Sequence, residues 1–187
     1  KADGGTFDGN VTMGGTLGVT GATTLSSTLA VTGNSTFSGE IITSTSGTSN
    51  VRIGENAGDA IASGGEFNVL VGDEAGTAIT TGTDNTFIGG LAGDALIDSD
   101  HNVAVGHQSL SADTKGSKST AVGAFSLNVQ NFSSATDSHN TATGYAAGGA
   151  ITTGVNNTLI GSSAGDALTT GSHNTYVGKD AGGADDL

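Results

Sequence analysis

The residues able to do chemistry in this chain are few and scattered. Four histidines stand at His101, His107, His139 and His173. Three of them, His101, His139 and His173, directly precede the first position of a repeating unit described below. A symmetry axis could bring copies of such a histidine together around a metal, but the spacing supplies no ligand set within one chain, and a solvated turn is the simpler reading. Asp59, Asp94 and Asp166 recur at one repeat position and could attract Ca²⁺ weakly. GGLAGD at 89–94 superficially resembles the calcium-binding Gly/Asp repeat, but it occurs in one copy and at the wrong period. An acidic surface that keeps the protein soluble accounts for the same residues. Ser, His and Asp are all present, yet no nucleophile elbow is visible and no carboxylate pair for glycoside cleavage can be placed. The expectation is therefore a chain with no catalytic residues, no cofactor and no resident metal.

Composition narrows the classes further. Gly, Ser and Thr make up 81 of 187 residues, while Pro, Cys and Trp are absent. Without Cys there is no disulfide framework, zinc finger or thiol chemistry. No run of about 18 apolar residues exists, so no transmembrane helix is expected and no direct membrane insertion. A net charge of −13 with five Lys+Arg argues against nucleic acid and against an anionic membrane surface. The chain starts at Lys1 with no signal-peptide pattern, which reads as a processed product or a piece of something longer. Such Gly/Ser/Thr-rich sequence often means a flexible linker, but periodicity decides otherwise here.

Two repeats divide the chain into three parts: a hexad-repeat stem over 1–42, a Ser/Thr/Gly junction over 43–49, and eight units of about 17 residues over 50–187. In the stem the unit reads apolar-x-Gly-x-apolar-Thr, with Gly9, Gly15, Gly21, Gly33 and Gly39 six residues apart or a multiple of six. Alternation at spacing two predicts strand. One short apolar row cannot offset an ordering cost of about 1–2 kcal/mol per residue, so the stem is expected to fold only around copies of itself.

The longer units start at Asn50, Asn68, Asn85, Asn102, Ser119, Asn140, Asn157 and Asn174. Their fifth position is always glycine: Gly54, Gly72, Gly89, Gly106, Gly123, Gly144, Gly161 and Gly178. This predicts a corner with positive φ or close backbone approach after a short strand. The first-position asparagines are expected to stack into a hydrogen-bonded ladder. The small residue at position eight fits a thin interior, and a second short strand is expected through positions eleven and twelve, as at Ala78–Ile79. Coils of this kind stack about 4.8 Å apart. Positions two and four share one strand face, and the third faces the other way. Both faces are largely apolar, so one fills the coil and the other needs a second body. The third-position residues Leu70, Phe87, Ala104, Ala121, Ala142, Leu159 and Tyr176 are taken as the oligomer interface. The fifth unit is longer by an insertion, NVQNFSSATDSH, whose Asn131, Phe132 and His139 are candidate receptor contacts on a loop.

HNVAVGHQS at 101–109, KSTAVGAFS at 118–126 and HNTATGYAA at 139–147 resemble the head repeats of YadA-like trimeric adhesins, repeats that also recur in bacteriophage tail fibres. The resemblance covers about 138 residues, Asn50 to Leu187, and the hexads resemble phage fibre shafts. It implies an all-β, left-handed β-roll head on an intertwined stem, assembled as a homotrimer. It implies an extracellular role, on a virion tail fibre or a bacterial cell surface, in attachment to a cell-surface receptor or glycan. A slender segment ahead of the head matches the polarity of a tail fibre, with the rest of the fibre on the N-terminal side. The alternatives are a bacterial adhesin or extracellular filament subunit and, from other classes, a glycan-cleaving spike or an ice-binding solenoid. The last would use Thr-Thr pairs at 80–81, 152–153 and 169–170, an array broken at Ile97–Asp98, Lys115 and Phe132.

Overall fold

A computed structural model of the chain describes residues 46–183. The stem over 1–42 and the first three junction residues, 43–45, lie outside the described residues. The strands are β1 (Val51–Ile53), β2 (Val69–Val71), β3 (Thr86–Ile88), β4 (Val103–Val105), β5 (Gly116–Ser117), β6 (Thr120–Val122), β7 (Thr136–Asp137), β8 (Thr141–Thr143), β9 (Thr158–Ile160) and β10 (Thr175–Val177). Eight of them form one parallel sheet in the order β1-β2-β3-β4-β6-β8-β9-β10. Each repeat is thus one rung of an all-β solenoid, and no helix occurs among the described residues. The register is position for position: Leu70 pairs with Phe87, Phe87 with Ala104, Ala104 with Ala121 and Ala121 with Ala142. The four-residue insertion of rung five leaves this register intact, because the extra chain is taken up elsewhere in the coil. There β5 and β7 make a separate two-stranded parallel sheet.

The corner glycines explain why every strand of the eight-stranded sheet stops after three residues. All eight have φ between +131° and +139°. A Cβ on Gly72 would lie 2.5 Å from the carbonyl oxygen of Gly89, and one on Gly123 would lie 2.3 Å from that of Gly144. The obstacle is backbone, which cannot swing aside. Past the corner, positions seven and nine are also left-handed, as at Glu74 (φ 55°) and Gly76 (φ 59°). The chain therefore winds through consecutive turns closed by bonds such as Ala75 N–H to Gly72 O and Ile79 N–H to Gly76 O. This is why the strand expected at positions eleven and twelve does not form. Inter-rung bonds persist there nonetheless, for example from Ala78 N–H to Asp94 O at 3.0 Å.

The interior corrects the assignment of the two strand faces. Leu70, Phe87, Ala104, Ala121, Ala142 and Leu159 are fully buried within a single chain, and half-buried Tyr176 packs against the same core. The third-position column is the solenoid's own core and is not available as an oligomer interface. Positions two and four are the outward face. The physical reason is volume. Beside the aliphatic residue at position twelve, the thin coil holds one more large side chain, and in rungs two, three and seven it comes from position three while position nine is glycine. A Cβ on Gly93 would lie 2.7 Å from the Phe87 ring, and one on Gly165 would lie 2.9 Å from Leu159. In rungs four and five the arrangement is swapped: Ala104 and Ala121 are small, and position nine holds the buried Leu110 and Leu127.

The asparagine ladder forms along one side of the core. Asn68 Oδ1 accepts from the N–H and the Nδ2 of Asn85 at 3.1 and 3.0 Å. In the ladder up to Asn157, each amide also donates to a carbonyl of its own coil, as Asn85 Nδ2 does to Ser99 O at 2.8 Å. Buried polar atoms thereby find partners in place of water.

Candidate functional site

Two features of this regular solenoid are not required by its own packing. The first is the outward sheet face. Its sixteen positions, two from each of eight strands, are all Val, Ile or Thr. β-Branched side chains suit a pleated surface, but none of the sixteen is charged in a chain with 18 Asp+Glu. Ile53, Ile88, Ile160 and Val177 are among its exposed large apolar residues. Parallel sheets are ordinarily covered on both faces. Exposed apolar patches on a protein surface are common places of association.

The second feature is the irregular stretch of rungs four to six. Position twelve is Ile61, Ile79 and Leu96 in the first three rungs, but Asp113 and Gln130 in the next two, both fully buried. Gln130 Nε2 donates to Asp113 Oδ2 at 2.7 Å and to Ser119 Oγ at 2.9 Å. Asn140 Nδ2 donates to Gln130 Oε1 at 2.8 Å. Asp113 Oδ1 accepts the backbone N–H groups of Gly116 and Phe132 at 2.9 and 3.2 Å. Ser119 interrupts the asparagine ladder, and its hydroxyl instead meets Ser138 Oγ at 2.5 Å. This network fills the interior of rungs four and five, where position twelve carries no aliphatic side chain.

The candidate receptor loop is divided by the same packing. Asn131 and His139 are exposed, whereas Phe132 is buried over the network, so Phe132 is not a free contact residue. A Cβ on Gly116 would lie 2.9 Å from its ring, which shows how closely it is held. Its sequence register looked irregular because the insertion shifts it away from the repeat positions that normally face the core.

The remaining candidates stay apart. His101, His107, His139 and His173 are all exposed. His101, His139 and His173 occupy the left-handed turn before position one, with φ of 59°, 49° and 64°. No group of three metal-ligating side chains occurs among the described residues. The acidic column is spread over rungs one, three and seven. Asp59 is engaged by Arg52 at 2.8 Å. Asp94 has its Oδ1 buried without a partner, and burial, followed by the nearby charge of Glu74, raises its pKa. Asp137, in contrast, is held below the ordinary carboxylate value by its bond to Lys118.

Gly161-Ser162-Ser163-Ala164-Gly165 matches G-x-S-x-G as a string. It follows β9 and enters the common turn, not a helix. The left-handed φ of Ser163 is shared by every residue at position seven, so it is a property of the coil and not of a nucleophile.

Compared with family models, with curated proteins and with solved structures, the chain matches none.

Proposed function

We propose that this chain is a structural and adhesive fibre segment, of the kind found in a bacteriophage tail fibre, that self-associates as a homotrimer and presents a repetitive surface to a host cell. The observation that carries the reading is the outward face: an eight-stranded parallel sheet, wholly β-branched, uncharged and uncovered in one chain. Rungs stacked in one register make such a face able to pack against copies of itself around a common axis. A bacterial surface adhesin would use the same assembly and remains the alternative host of the unit.

Light scattering of the purified chain at micromolar concentration tests it. The expected mass is three times the 18.0 kDa of one chain. Replacing Val105 and Val122 together with lysine should return the 18.0 kDa species. A cooperatively melting monomer would remove the fibre reading. Binding of the labelled particle to bacterial cells tests the adhesive part separately.

One observation favours a second reading of the same face. Thr occupies the second position in rungs three, five, six, seven and eight, opposite Ile, Val or Thr at the fourth. A regular hydroxyl and methyl array could order water, so ice binding moves from the broken Thr-Thr turns to this face. A thermal-hysteresis measurement on the monomeric Val105/Val122 lysine variant and the wild type decides it: activity in the wild type that the variant lacks, without a trimer, would favour ice.

A further inference from the structure

We infer that the aromatic ladder His107–Phe125–Tyr145 is a contact site for a neutral glycan, a proposal that rests on the adhesive reading and gives it a place on the molecule. The three rings sit just past the corner glycines of rungs four, five and six. His107 and Phe125 have centroids 5.5 Å apart at 80°, and Phe125 and Tyr145 are 5.8 Å apart at 78°. Aromatic residues are 4% of the chain. Among the described residues outside the ladder, Phe87 and Phe132 are buried, Tyr176 packs on the core and Phe67 is exposed in the turn before rung two. Tyr145, however, is 59% exposed.

Edge-to-face pairing stabilises neighbouring rungs. That alone does not call for an exposed tyrosine, since rungs three and seven carry Gly90 and Ser162 at its position. Gly90 also leaves the flank of His107 open: a Cβ there would lie 3.6 Å from His107 Cδ2. The floor is rigid, because each rung is bonded to the next along this edge. Phe125 N–H donates to His107 O and Ser163 N–H to Tyr145 O, each at 2.9 Å.

Charge selects the ligand. Positions six and seven hold Asp73 and Glu74 in rung two and Lys179 and Asp180 in rung eight, but no Asp, Glu, Lys or Arg in the five rungs between. A molecule of net charge −13 therefore keeps an uncharged strip with aromatic rings at its middle. The C–H faces of a sugar pack on ring faces, and its hydroxyls find partners in His107, Gln108 and Ser163. An anionic polysaccharide would be repelled by the rest of the surface.

The test uses the intact chain and a printed panel of neutral hexose and N-acetylhexosamine oligosaccharides, followed by titration in solution. The chain has no Trp and two Tyr, so Tyr176→Phe leaves Tyr145 as the sole tyrosine emitter. A neutral glycan should change that emission, and Tyr145→Ala should weaken binding on the order of tenfold at unchanged mass and melting temperature. Tyr145→Phe should retain most of it. The proposal is overturned if Tyr145→Ala binds like the wild type, if no neutral glycan on the panel binds, or if Tyr145→Ala lowers the mass and reveals a contact between copies. In the first two cases the adhesive reading stands if the particle still attaches to cells, and falls with the site if it does not.

Discussion

Rungs two and three and rungs four and five fill the same interior in opposite ways. In the former, Leu70 and Phe87 lie over Gly76 and Gly93; in the latter, Ala104 and Ala121 face Leu110 and Leu127. The regular rungs then close their far side with Ile79 and Leu96, the irregular ones with Asp113 and Gln130. The backbone corner and sheet register do not change between them. What the coil conserves is its backbone and its enclosed volume; the side chain that supplies the volume is negotiable. Variation therefore collects in rungs four to six, where the polar closure, the insertion and the exposed rings all occur.

The corner should be indifferent to this division. Gly72→Ala and Gly123→Ala combine a left-handed φ with a backbone clash. Each should cost on the order of 3–5 kcal/mol, visible as loss of the cooperative melt. If the irregular rung tolerated alanine, the corner would not be the shared element.

The volume exchange predicts a coupling next. Leu110→Gly alone should cost roughly 2–5 kcal/mol, and Ala104→Leu alone roughly 1–3. The double variant converts rung four to the regular pattern and should lie within about 1.5 kcal/mol of the wild type. Denaturant melts of the four proteins check it, and simple additivity would sink the exchange.

The polar closures compare as follows. Asn85→Ala in the regular ladder and Gln130→Leu in the irregular network each strand buried partners, Ser99 O and the Asn102 N–H in one case, Asp113 and Asn140 in the other. Both should destabilise by roughly 1–3 kcal/mol. Hydrogen exchange should show the loss confined to neighbouring rungs, as expected of a one-dimensional stack.

The smallest effects are with pH and have opposite signs. Asp94 of rung three has a folded pKa above 3.8, so the fold binds its proton more tightly than the unfolded chain does. Its penalty is fully present above the folded pKa and gone below 3.8. Asp94→Asn should therefore raise the melting temperature slightly at pH 7, with the gain fading as the solution approaches pH 3.8. Asp137 of rung five has a folded pKa below 3.8. Its pairing with Lys118 supports the fold above 3.8 and is lost as pH falls through the lower value. Lys118→Met should lower the melting temperature slightly at neutral pH and have no effect below that folded pKa. Asp94 is half-buried and Asp137 exposed, so solvent screening keeps each shift small.

Much of this architecture is legible in the residues. The glycine at every fifth position, the asparagine at the first and the small residue at the eighth each have one physical use in a stacked coil, and the structure shows all three. The choice of strand face was not legible from hydrophobicity, because Val and Ile outside look like Leu and Phe inside. The available signal was hydroxyl content and paired volume: Thr fills six of the sixteen outward positions, while position three grows only where position nine shrinks. Phe132 was misplaced because an insertion breaks the frame in which burial is counted. The left-handed turns at non-glycine residues such as Leu91, Phe125 and His101 left no compositional mark at all. The aromatic ladder was invisible for a related reason, since His107 and Tyr145 share position six but Phe125 is one place further on.

The handover at Ser119 has a consequence for how such a molecule can change. Asn102 Oδ1 accepts the Ser119 N–H at 2.9 Å, and Gln130 Oε1 then takes up the amide of Asn140, so the ladder is spliced and resumes with its spacing unaltered. A coil able to splice around extra chain can lengthen one loop without retuning its neighbours. Loop decoration and coil stiffness thereby become separately adjustable traits in a single polypeptide.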